Sequence, residues 1–171
     1  TIVGLIGLAI IFGHNLLDPL TSADFGSAAV FWTILHEEGR VQLFEGVTWL
    51  VSYPLAPWVG VMAVGYSFGA SQKLALKQRR LLYMRLGMVM IVAFVGLRMS
   101  NIYGDPVQWS TQASAVFTLL SFLNAEKYPP SLLFLLMTLG PALCILACFE
   151  GWSRGGRFRI ALLVFGRVPL F

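Results

Sequence analysis

Charge is scarce in this chain, and so are the patterns that build soluble catalytic or metal sites. Only 12% of its 171 residues are charged and 57% are hydrophobic, against about 25% and about 45–50% in soluble domains. That imbalance excludes an ordinary water-soluble globule. Its two cysteines, Cys144 and Cys148, lie four apart in an apolar run with no other Cys or His nearby. They read as small apolar packing rather than as a disulfide or metal site. The sequence has no Gly-rich phosphate loop, no spaced Cys/His cluster and no serine nucleophile elbow. Nor does the net charge of +4 make a nucleic-acid surface, because the basic residues gather in short segments between apolar runs. That distribution sets orientation in a bilayer. A basic leader is missing as well: Thr1 and Phe171 both fall inside apolar runs. The expectation is that both ends are cut and that this is the central piece of a longer protein.

What is present is apolar sequence in runs of roughly 17–20 residues, enough to cross a hydrocarbon core of about 30 Å. The fold class expected is all-α: a polytopic transmembrane helical bundle forming a single domain over 1–171. Three full spans are predicted at Trp49–Ser71, Leu86–Met99 and Leu132–Phe149. Thr1–Gly13 and the run from Ile160 read as truncated spans. Ala113–Leu123 is too short to cross and reads as an interfacial or re-entrant helix. Residues 20–48 read as a polar loop with a short apolar stretch at Ala28–Leu35. Gly65 with Gly69, and Ala56 with Gly60, are spaced for close approach between helices.

Loop charges orient the bundle. Lys73, Lys77, Arg79, Arg80 and Arg85 follow one another without an acid, and residues 150–159 carry three arginines against Glu150. Loops 72–85 and 150–159 are therefore expected on the cytoplasmic side. The 14–48 loop sets five acids against Arg40, and 100–131 is also weakly acidic, which places both outside.

Ionisable groups at span ends are costly in a membrane and default to functional candidates. Three outer helix ends supply them: His14, Asn15 and Asp18; Arg98, Asn101 and Tyr103; and Asn124, Glu126, Lys127 and Tyr128. His14 suits a general base, with Asp18 four residues on to hold a ring nitrogen; it also suits a plain helix end. Arg98 suits a carboxylate or phosphate, or snorkelling to headgroups. Tyr128-Pro129-Pro130-Ser131 marks a sharp entry into the Leu132–Phe149 span. Lys127 stands just ahead of that helix N-terminus, where an anion is favoured and the Ser131 hydroxyl can contribute. Arg167 lies about 12 Å into the membrane if its segment is helical, which favours burial against a partner or ligand. His36, beside Glu37 and Glu38, reads as part of a solvated acidic loop.

Several stretches together carry a resemblance. Gly13-His14-Asn15-Leu16-Leu17-Asp18, Tyr53-Pro54-Leu55-Ala56-Pro57-Trp58-Val59-Gly60-Val61-Met62, the run Asn124 to Pro141, and Phe165-Gly166-Arg167-Val168-Pro169-Leu170-Phe171 resemble bacterial heparan-alpha-glucosaminide N-acetyltransferase-like membrane proteins. The resemblance implies a transmembrane acyltransferase of the bacterial inner membrane that moves acetyl from cytosolic acetyl-CoA to a sugar amine or hydroxyl outside. Its histidine-bearing N-terminal helices and Arg-Gly segment are absent here, so the piece alone is expected to be inactive. His14 and Asp18 stand as catalytic candidates. Asn15, Arg98, Asn101, Asn124, Lys127, Tyr128, Ser131 and Arg167 stand as substrate-binding ones. Expected partners are membrane lipid and a small-molecule or glycan acceptor, with no metal and no nucleic acid, and a homo-oligomer stays open. A transporter or non-catalytic scaffold is the alternative, since broken helices and buried charges also build substrate pathways.

Overall fold

A computed structural model of the chain describes residues 1–150. Arg167, the truncated span from Ile160 and the arginine-rich segment 151–159 lie outside the described residues. The architecture is mostly helical, with α1 at Ile2–Gly13, α2 at Ala29–Leu35, α3 at Leu55–Phe68, α4 at Leu76–Ser100, α5 at Ala115–Leu123 and α6 at Leu132–Phe149. Between α2 and α3 runs a hairpin of two antiparallel strands, β1 at Gly39–Phe44 and β2 at Val47–Val51.

Among the described residues two helices, α4 and α6, are long and apolar enough to cross a membrane. A third candidate is broken: the segments Ile2–Leu17 and Ser22–Leu35 pass together but bend by 111° between them. The span expected over Trp49–Ser71 is shorter than predicted, because Trp49 belongs to β2 and the helix starts only at Leu55. Pro54 precedes it and Pro57 occupies its first turn, where a missing N–H costs no hydrogen bond. The span expected from Leu86 is longer: α4 reaches back to Leu76 and takes Lys77, Arg79, Arg80 and Arg85 into its first turns.

The helices pack as two close pairs, α1 on α3 and α4 on α6. Small residues set both contacts, since helix backbones approach only where side chains are minimal. A Cβ on Gly7 would sit 2.8 Å from the Gly60 carbonyl oxygen, and one on Gly87 would sit 2.5 Å from Cys144 Sγ. Gly65 and Gly69, also spaced for such contact, meet nothing within 4 Å among the described residues. A core of Ile11, Phe94, Leu132, Leu133, Leu135 and Leu136 joins the two pairs.

Polar contacts gather at the two ends of the bundle. At one end Ser71 Oγ meets the Tyr83 hydroxyl at 2.8 Å and Arg79 pairs with Glu150. Arg80 Nε donates to the Ala147 carbonyl there. The other end holds the tail of α1, the end of α4 and the start of α6, and it is there that the candidate residues meet.

Candidate functional site

The site grows from the chain leaving α1. His14–Leu17 is one turn of 3-10 helix, in which residues three apart eclipse each other. Asn15 and Asp18 therefore share a face, and Asn15 Nδ2 donates to Asp18 Oδ2 at 2.8 Å. The expected pairing of His14 with Asp18, which an α-helical turn would give, does not form. Asp18 instead meets His36, whose Nε2 lies 3.3 Å from Asp18 Oδ1. His36 returns to this point because the chain bends after Leu17 and kinks again at Gly26, whose φ of 49° few other residues adopt. Trp32 stacks on Phe25 and leans on the His36 ring, 5.0 Å between centroids.

His36 is thus buried rather than solvated, at 5% exposure, and His14 is buried at 3%. Their ring centroids are 6.0 Å apart. Nδ1 of His36 has no hydrogen-bond partner among the described residues, and the His14 ring faces the Pro130 backbone. Buried polar atoms are nearly always satisfied, so the unpartnered Nδ1 of His36 stands out among the described residues. Among the described residues no group of three or more His, Cys, Asp or Glu side chains is arranged to hold a metal.

Asn15 ties this cluster to α6. Its Oδ1 accepts the Leu132 N–H at 2.9 Å. The Leu133 N–H goes to the Gly104 carbonyl and the Phe134 N–H to Ser131 Oγ, each near 3 Å. The opening N–H groups of α6, expected to be free for an anion, are therefore already taken. Gly104 is required for this: its φ is 97°, and a Cβ there would sit 3.2 Å from Leu133 Cγ.

Arg98 and Asp105 hold the loop that covers this end. The Arg98 guanidinium is 1% exposed and donates to the carbonyls of Val107, Ser121, Phe122 and Asn124 at 2.6–3.1 Å. Asp105 Oδ1 is 3.6 Å from Arg98 Nη1 and accepts the Val107 N–H. Oδ2 of the same carboxylate accepts from the Glu126 N–H and from Ser131 Oγ. Arg98 is thus committed to the fold, and so is Ser131, which caps α6. Asn101 serves the same loop: it ends α4 in a left-handed conformation and exchanges two hydrogen bonds with the Trp109 backbone. Asn124 gives its carbonyl to Arg98 and leaves its side chain exposed. Tyr103 donates from its hydroxyl to the Phe12 carbonyl, and desolvation raises its phenol above the ordinary value.

Lys127 and Tyr128 stand on the rim. The Lys127 ammonium lies 4.8 Å from the Tyr128 ring centre. Hydrogen bonding between the two raises Lys127 and lowers Tyr128, and the Tyr128 phenol in turn raises Tyr53. The Tyr53 ring meets that of Tyr128 edge-on at 5.2 Å. The peptide bond between Tyr128 and Pro129 is cis.

The structure thus brings His14, Asn15, Asp18, Arg98, Asn101, Asn124 and Ser131 to one end of the bundle. Sequence reasoning passed over two residues there. His36 was hidden by its acidic neighbours, and Asp105 stands beside a glycine and ahead of a proline, a setting that gives no sign of burial. No family model, curated protein or solved structure matches the chain.

Proposed function

We propose that this chain is part of an integral-membrane acyltransferase that uses the His14–Asn15–Asp18–His36 cluster for acid–base work. The supporting observation is the pair of buried imidazoles beside the Asp18 carboxylate, with Nδ1 of His36 left without a partner among the described residues. The resemblance of Gly13–Asp18 and of Asn124–Pro141 to the heparan-alpha-glucosaminide N-acetyltransferase-like proteins supplies the reaction class. In such a transfer an acceptor amine or hydroxyl bonds to the acyl carbon and the carbon–sulfur bond of acetyl-CoA breaks. The acceptor's proton passes to an imidazole and is returned to the departing thiolate. Lys73, Lys77 and Arg85, exposed at the opposite end, suit the phosphates of a cytosolic CoA or of lipid headgroups. On this reading the bundle sits in a bacterial inner membrane with its basic end inside and the histidine cluster near the outer face.

The test is transfer from labelled acetyl-CoA by the full-length protein in proteoliposomes. A His14→Ala, His36→Ala double variant should lose at least about a hundredfold in rate, the lower end of general acid–base contributions. Undiminished transfer by that variant would remove the cluster from the reaction. The 111° break after α1 favours a second reading, a transporter with a discontinuous helix. That reading requires counterflow of solute without acyl transfer in the same vesicles.

A further inference from the structure

The hairpin between α2 and α3 carries an apolar face that the other described residues cover only in part. We propose that Gly39–Val51 is an interfacial anchor, lying along the bilayer surface with Phe44, Val47 and Trp49 turned into lipid. The proposal rests on the bundle lying in a membrane and not on the reaction it performs.

Residues directly opposite each other in an antiparallel pair share a face, and the faces alternate along each strand. The register therefore puts the pairs Gly39–Val51 and Val41–Trp49 on one face, and Arg40–Leu50 and Gln42–Thr48 on the other. An irregularity between Gln42 and Phe44 sets Phe44 opposite Val47, which alternation places on the first face. That face is apolar from end to end. The other carries Arg40, Gln42 and Thr48 beside Leu50, all exposed. At its root the apolar face is closed: Val41 and Val51 are buried, and a Cβ on Gly39 would sit 3.3 Å from Thr33 Cγ2 of α2. Towards the turn it opens. Phe44 is 74% exposed, and Val47 and Trp49 are 50% and 49% exposed.

Three observations point to lipid as the cover. The chain runs from β2 into α3, whose exposed Leu55, Val59, Met62 and Tyr66 fall on one helical stripe, so apolar surface continues from the hairpin along the bundle. At the junction the Tyr53 ring meets those of Trp58 and Tyr128 at 6.4 and 5.2 Å, with the Lys127 ammonium over Tyr128. Tyrosine, tryptophan and lysine together are the groups that settle at headgroup level. The third is the hairpin's own pattern, since apolar on one side and polar on the other suits an element in the interface plane. Its depth follows from its backbone. Among the described residues the sheet has two strands, so both outer edges carry unpaired N–H and C=O groups, which hydrocarbon does not tolerate. With Glu45 at the turn as well, the hairpin lies flat at headgroup depth, its edges wet, rather than entering tip first.

The experiment is electron paramagnetic resonance on the full-length protein in phosphatidylcholine liposomes. A nitroxide is attached to a single cysteine introduced as Phe44→Cys, Trp49→Cys, Thr48→Cys or Val92→Cys, with every native cysteine replaced. Oxygen concentrates in lipid and a nickel chelate in water, so the ratio of the two collision rates reads the surroundings of each label. Labels at positions 44 and 49 should show a higher oxygen-to-nickel ratio than the label at 48. They should also lie shallower than the label at Val92, an exposed position in α4. Equal ratios at 44, 48 and 49 overturn the anchor, while a lipid-exposed label at Val92 leaves the bundle in its membrane. Labels at 44 and 49 shielded from both reagents overturn it too. Spectral broadening that disappears on dilution with unlabelled protein then identifies a second copy as the cover, and shielding without such broadening identifies another part of the protein. A label at Val92 open to the nickel chelate removes the membrane reading and the anchor with it.

Discussion

Replacing Arg98 by methionine removes a guanidinium while keeping an unbranched apolar stem. In the native chain that guanidinium donates to four backbone carbonyls and lies 3.6 Å from the buried Asp105 carboxylate. Hydrogen bonds to a charged group are worth about 1.5–3 kcal/mol each. Four such bonds do not add, because burying the charge and fixing the side chain oppose them. Deleting one partner of a buried ionic network costs about 3–5 kcal/mol, since the other charge stays behind unpaired. Asp105 is that charge here, and Arg98→Met is expected to destabilise by about that amount. Arg98→Lys should recover less than about half, because an ammonium cannot fork to four carbonyls on different sides. The assay is reversible unfolding of the full-length protein in mixed detergent micelles, followed by tryptophan fluorescence. Adding Asp105→Asn to Arg98→Met should cost less than the two single changes together, with a coupling of about 0.5–3 kcal/mol. A loss under about 1 kcal/mol for Arg98→Met, or strict additivity with Asp105→Asn, would refute the account of Arg98 as the centre of the loop.

The α4–α6 contact predicts an asymmetry among glycines: Gly87→Ala should destabilise by about 1–3 kcal/mol through overpacking. Cys144→Ala should restore part of that loss, since it removes Sγ at 2.5 Å but leaves the Gly140 carbonyl at 2.7 Å. Gly65→Ala, with nothing within 4 Å among the described residues, should be neutral or stabilise by up to about 1 kcal/mol through helix propensity. Thermal melts of the three variants decide both points. Asp24, on the exposed turn before α2, accepts hydrogen bonds from the Thr21 N–H and hydroxyl, and these hold its carboxyl below the ordinary value. A depressed carboxyl stabilises the fold above its unfolded value of about 3.9 and stops doing so as pH falls through the folded value. Amide exchange at Ser22–Ala28 should therefore accelerate below about pH 4 relative to its intrinsic rate, and Asp24→Asn should abolish that extra acceleration.

The start of α6 was legible because its punctuation is local. Pro130 and Ser131 stop the preceding segment and cap the next one, and Leu132–Phe149 emerges with the expected bounds. The hairpin was not legible. Its Glu45-Gly46 turn and its alternation along Arg40–Val51 lie between acids on one side and aromatic residues on the other. The acids suggested a solvated loop, and Trp49–Val51 was absorbed into the following apolar run. The meeting of three helix ends was expected, but not how each polar group would be used there. Arg98 announced itself as a cation at a helix end, yet the carbonyls that absorb it belong to no motif. His36 joins Asp18 only through two bends, the second at a glycine whose neighbours gave no sign of a kink. A 3-10 turn in place of an α-helical one moved the carboxylate from His14 to Asn15, a change of one residue in spacing that altered the chemistry.

The Arg98 cage also has a direction in time. Its four carbonyls lie 9 to 26 residues further along the chain than the arginine itself. A chain made from its N-terminus delivers the cation to the membrane before the groups that will surround it exist. During that interval water, headgroup phosphates or the insertion machinery must carry the charge, at a cost that falls once Asn124 has emerged. Ribosomes paused just before and just after that point should hold nascent chains that differ in how firmly α4 is seated. The closing of that end of the bundle is thus a late event in the making of the protein, set by the order of residues along the chain.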